Sequence, residues 1–90
     1  MLCVYSYMSC LNRTVEVHGN FQVDTADFKA FFRKCQPFIA MCYVKCEDGQ
    51  NWVYTQEFGW EPMSDAAQVR YGKYLDMLGY DDYLNDFDLF

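Results

Sequence analysis

The stretch Ile39-Ala40-Met41-Cys42-Tyr43-Val44-Lys45-Cys46-Glu47-Asp48-Gly49-Gln50-Asn51-Trp52-Val53-Tyr54-Thr55-Gln56-Glu57-Phe58 carries the clearest structural signal in the chain. Two runs rich in β-branched and aromatic residues flank Asp48-Gly49, a dipeptide favoured in tight turns, and the pattern predicts a hairpin of strands 39–46 and 51–58. Side chains alternate across a strand, so Trp52, Tyr54, Gln56 and Phe58 share one face and Val53, Thr55 and Glu57 the other. The aromatic set is expected to meet the helices.

Upstream, residues 2–10 are rich in strand formers, with Tyr5 and Tyr7 on one side and Val4, Ser6, Met8 and Cys10 on the other. Residues 14–18 and 21–23 alternate as two further short pieces, and Gly19-Asn20 between them suits a turn or bulge. A helix is predicted over residues 25–35. Asp24 or Thr25 caps it, Phe28, Phe31, Phe32 and Cys35 form one stripe, and Pro37 stops it because proline lacks an amide donor. Residues 59–62 read as a loop. A second helix is predicted over 65–78, with Ser64 as N-cap, Ala67, Tyr71, Tyr74, Leu75 and Leu78 on one stripe, and Gly79 as the C-terminal cap.

These elements predict an α+β fold: a small antiparallel sheet of about four strands in the order ββ-α-ββ-α, two helices packed on one face, and a second face that is more polar. Ninety residues imply one compact domain, 1–90, in which 80–90 form an acidic aromatic C-terminal segment. With 52% hydrophobic residues and eighteen aromatic rings, the composition excludes disorder over the whole chain.

Charge is unevenly distributed. From Tyr74 onward there are five aspartates and no basic residue, whereas residues 1–73 carry seven basic and eight acidic side chains. Most of the net charge of -6 therefore resides at one end. Such a chain is repelled by nucleic acid and by anionic membranes, so neither is an expected partner, and no run of about 18 apolar residues suggests a membrane span. The first ten residues have no basic leader region and read as a strand. Five cysteines, an odd number, fit a reduced, cytoplasmic setting better than a disulfide scaffold.

No motif for catalysis or cofactor binding emerges. Cys42 and Cys46 are four apart and Cys3 and Cys10 seven apart, spacings unlike those of zinc sites, so the cysteines read as core residues and no metal is expected. His18 is the sole imidazole; Glu16 shares its strand face, and the pair reads as a surface pair, not a catalytic one. The glycines are scattered singly and form no phosphate loop. Lys29, Arg33 and Lys34 make a basic helix face, read first as solvated and second as an anion site or a place to hold the acidic end.

If residues 80–87 continue as a helix, Tyr80, Tyr83, Leu84 and Phe87 share one side while Asp81, Asp82, Asn85 and Asp86 occupy the other. So short a helix must dock, either on its own domain or on a partner. The expected function is a non-enzymatic protein–protein interaction module without a cofactor, which covers the basic surface of a larger nucleic-acid-binding protein. Asp76, Asp81, Asp82, Asp86 and Asp88 supply charge, Tyr80, Tyr83 and Phe87 supply anchors, and Glu47, Asp48 and Glu57 around the hairpin form a second acidic candidate. In size, acidity and general character the chain resembles phage or mobile-element inhibitors of host defence nucleases, such as anti-CRISPR proteins and DNA mimics. Two alternatives stand beside this reading: a homo-oligomeric structural or regulatory domain, a homodimer in its simplest form, and a cysteine-based metal or redox protein.

Overall fold

The computed structural model describes residues 1–80. Strand β1 (Leu2–Leu11) turns back into β2 (Thr14–Asp24), helix α1 (Thr25–Cys35) follows, and a 3-10 turn (Gln36–Phe38) leads into β3 (Ile39–Cys46). Strands β4 (Asn51–Thr55) and β5 (Gly59–Pro62) precede helix α2 (Asp65–Met77). The described sheet has the lateral order β2-β1-β3-β4-β5, with every neighbouring pair antiparallel. Because β2 and β3 both run opposite to β1, they are parallel to one another, and α1 is the crossover that passes over β1.

The class and the antiparallel sheet agree with the sequence. The layering does not: the helices lie on opposite faces of the sheet, not on one. Met41 and Tyr43 of β3, with Met8 and Val53 beside them, pack with Ala67, Tyr71, Leu75 and Leu78 from α2 and its C-terminal end. On the other side Cys42, Val44 and Cys46, with Cys3, Tyr5 and Tyr54, pack with Phe28 of α1, flanked by Phe31 and Phe32. The cause lies in β3, where both alternating sets are apolar apart from Lys45 and all residues but Ala40 are buried. Antiparallel sheets commonly leave one face to water, but a strand with two apolar faces needs a cover on each.

The sheet also has five described strands where about four were expected. β4 ends at Thr55, whose Oγ1 accepts the Phe58 amide at 3.2 Å, so residues 56–58 form a turn and do not extend the strand. Gly59, at φ 72°, then adopts a conformation that L side chains rarely take, and the chain returns as β5, pairing Trp60 with Tyr54 and Glu61 with Val53. Residues 59–62 are thus a strand and not a loop. It serves both layers: Trp60 lies against Phe28 and Phe32 of α1, while Glu61 accepts from Arg70 Nη1 at 3.1 Å and from the Tyr71 hydroxyl at 2.8 Å on α2.

Local signals fared better. Asp24 Oδ1 accepts the Ala26 amide at 2.9 Å, Ser64 Oγ accepts the Ala67 amide at 3.1 Å, and Gly79 follows α2 at φ 75°. Tyr5 pairs with Phe21 and Tyr7 with His18, so the extra residue falls at Gly19-Asn20 as a bulge within one long β2. A second bulge sits in β3: Met8 faces Met41 but Ser9 faces Ile39, which turns Ile39 toward the α1 side. Tyr74 departs from its predicted stripe and is 48% exposed, leaving Ala67, Tyr71, Leu75 and Leu78 to bury α2. Among the described residues no helix is long and apolar enough to cross a membrane.

Packing on separate faces makes an energetic prediction. Phe28→Leu should cost about 1–2 kcal/mol and Leu75→Ala about 2–4 kcal/mol, and the double variant should lose the sum to within about 0.5 kcal/mol. Urea unfolding of the three variants checks this. A coupling of more than about 1 kcal/mol would mean that the two helices share core partners.

Candidate functional site: an aromatic groove beside helix α1

The start of α1 is fixed to the start of the chain. The N-terminal amine pairs with Asp24 at 3.2 Å, and the Thr25 amide and hydroxyl both donate to the Met1 carbonyl, at 2.9 and 2.8 Å. The Ala26 amide, and then the amine, hold the Asp24 carboxyl below its ordinary range. From this clamp the helix runs along the sheet with Phe28 and Phe32 inward, one turn apart, and with Lys29 and Arg33 displaced by one residue on the exposed side.

Between α1 and the strand ends lies a groove of about 600 Å³. Its aromatic walls are Phe28, Phe32, Trp52 and Trp60, and Val44 with the thiols of Cys3 and Cys46 adds further apolar lining. The walls are built by contact: Phe32 lies 4.9 Å from Trp60 and 4.8 Å from Tyr54, and Phe28 lies 5.9 Å from Trp60, centroid to centroid. Lys29 and Arg33 line the groove from the helix, and Asp48 and Gln50 line it from the β3–β4 turn. Asp48 Oδ1 is engaged by the Gln50 amide at 2.9 Å. Neither Lys29 nor Arg33 forms an ion pair among the described residues.

The thiols here are poor nucleophiles. Burial is the main cause that pushes Cys3 up from 9.0 to about 11, with Cys46, its cross-strand neighbour, adding to it. Burial likewise raises Cys46 and Cys42. Among the described residues no three His, Cys, Asp or Glu side chains converge as a metal site. His18 stacks on Tyr7 at 4.7 Å, lies 3.6 Å from Glu16, and has Ser9 Oγ 3.2 Å from its Nε2.

The described members of the set singled out from sequence lie apart from one another. Asp76 is exposed on α2. Glu47 accepts the Leu2 amide at 3.0 Å and sits with Asp48 in the turn before β4, whereas Glu57 sits in the turn after it. A five-residue strand, about 17 Å, separates them, so the hairpin carries no single acidic patch. Tyr80 is buried and packs edge-on against Tyr43 at 5.2 Å, an inward anchor of its own domain and not an exposed ring. Asp81, Asp82, Asp86, Asp88, Tyr83 and Phe87 lie outside the described residues.

Sequence reasoning missed two arrangements. Lys45 is buried, donates to the Tyr80 carbonyl at 3.2 Å and lies 4.7 Å from the centre of the Tyr80 ring. A lone lysine in an apolar strand was the available signal, since a buried amine needs such partners. The groove was missed because its walls come from α1, β3, β4 and β5, and the last of these was read as a loop. Comparison with protein-family models, curated proteins and solved structures finds no match for this chain.

Burial of acidic groups on the α1 face predicts alkaline sensitivity. Cys3 rises to about 11 and Tyr5 from 10.0 to about 12, both chiefly through desolvation. Below about pH 9 both groups are protonated in folded and unfolded chains, and their contribution is complete. Between about pH 9 and 12 the unfolded chain loses protons that the folded one keeps, so stability falls. The urea midpoint should drop across this window, and Tyr5→Phe should flatten its upper part. A midpoint independent of pH there would contradict the assignment.

Proposed function

We propose that this protein is a small non-enzymatic protein–protein interaction module whose acidic end covers a basic surface on a larger nucleic-acid-binding protein. The observation that supports the reading is the position at which the acidic end begins. Tyr80 is fixed in the core by Tyr43 and Lys45, and four aspartates follow it within eight residues. Lys45 adds a cation–π contact, which in a desolvated setting contributes up to about 2 kcal/mol. In sequence the concentrated negative charge thus follows directly on a core residue, and Asp76 is exposed on the preceding helix. Carboxylates placed this way accelerate encounter with a cationic surface and repel nucleic acid competing for it. The proposed class of action is that of an inhibitor of the anti-CRISPR or DNA-mimic kind, and the proposed setting is the cytoplasm of a host cell.

A second reading, a homodimer, is favoured by β2, the outermost described strand at its end of the sheet, on which Val15, Val17 and Phe21 are all exposed. Such an edge pairs readily with another strand. Light scattering separates the readings, since the first requires no self-association.

The functional test is capture from the native host lysate on immobilised full-length protein. The captured protein should bind nucleic acid, remain after nuclease treatment, and be released by added duplex DNA. Changing Asp81, Asp82, Asp86 and Asp88 to Asn should slow association about tenfold or more at low salt and weaken its salt dependence. Binding that ignores both competitor and charge removal would overturn the proposal.

A further inference from the structure

The groove beside α1 faces chemistry opposite to that of the acidic end. It is aromatic within, and its α1 wall carries two cations in a chain whose net charge is -6. We propose that this groove binds a medium-chain carboxylate, with the alkyl chain against Trp52, Trp60, Phe28 and Phe32 and the headgroup between Lys29 and Arg33.

Three observations support this. First, the volume, about 600 Å³, falls within the range of sites that enclose small molecules and comfortably exceeds a ten-carbon chain. Second, Lys29 and Arg33 are i and i+4 on one helix, so their stems rise from the same wall about 6 Å apart along the axis. Neither is engaged by a carboxylate among the described residues, although the chain is rich in acids. Third, the polar groups across the groove discriminate between ends of a ligand. Asp48, in the β3–β4 turn, repels an anion there and so favours the α1 side for the headgroup. The apolar contribution comes from rings that retain exposed surface: Trp60 is 38% exposed, and burying the remainder under an alkyl chain contributes favourably at about 25 cal/mol per Å².

The two tryptophans of the chain both line the groove, so intrinsic fluorescence reports on this site. Decanoate, titrated below its micellar range into the full-length protein, should give a saturable blue shift, and both indole N–H resonances should move. Decanol and decyltrimethylammonium should bind at least about tenfold more weakly, because each lacks the anion. Lys29→Met with Arg33→Met should weaken decanoate binding by about tenfold, in keeping with two solvent-exposed ion pairs, while leaving decanol unchanged. Both positions are exposed, so the variant should keep the wild-type fold, which circular dichroism verifies. The proposal is overturned by the absence of a saturable response, by equal responses to the three amphiphiles, or by decanoate binding indifferent to the double substitution. A response to a synthetic peptide of residues 81–90 but not to decanoate would likewise overturn it, and would assign the groove to the chain's own acidic end.

Discussion

Apart from the buried Lys45, strand β3 is apolar on both faces, and the remainder of the architecture answers that constraint. Met41 and Tyr43 on one side and Cys42, Val44 and Cys46 on the other are buried, so neither face of the central strand can be left to water. The crossover from β2 delivers α1 to one face, and the chain beyond β5 delivers α2 to the other. In ninety residues, where the buried fraction of surface is modest, covering both faces lets one strand serve two cores.

That arrangement also explains what the sequence disclosed. The helix caps, the stripe of α1, the Asp48-Gly49 turn and the Gly19-Asn20 bulge follow from residues close together in the chain, and they were legible. The distribution of helices between faces differs from the expectation of one covered and one more polar face, although its signal is present in β3, where Met41 and Tyr43 alternate with Cys42, Val44 and Cys46 and both sets are buried. Strand β5 was hidden for a different reason: four residues bounded by Gly59 and Pro62 carry turn chemistry at both ends. Only the alternation of Trp60 with Glu61, which sends a ring to α1 and a carboxylate to Arg70 and Tyr71, reveals a strand there.

The candidate site inherits the same logic. An acidic end was evident from charge counting alone, but Tyr80 changed meaning once Tyr43 and Lys45 were found around it. The groove was not legible at all, since Phe28, Phe32, Trp52 and Trp60 meet only when β5 pairs with β4 and α1 crosses over. The described residues thus carry an aromatic groove lined by Lys29 and Arg33 on the α1 side, while Tyr43 and Lys45 hold Tyr80 in the core on the α2 side.

The layered sheet is tested most directly by proton nuclear Overhauser contacts in the side-chain region of the full-length protein. The account predicts that the Phe28 and Phe32 rings show contacts to Tyr54 and Trp60, that Tyr71 and Leu75 show contacts to Tyr43 and Val53, and that no β3 side chain contacts both helices. Contacts from both helices to one set of β3 side chains would contradict it.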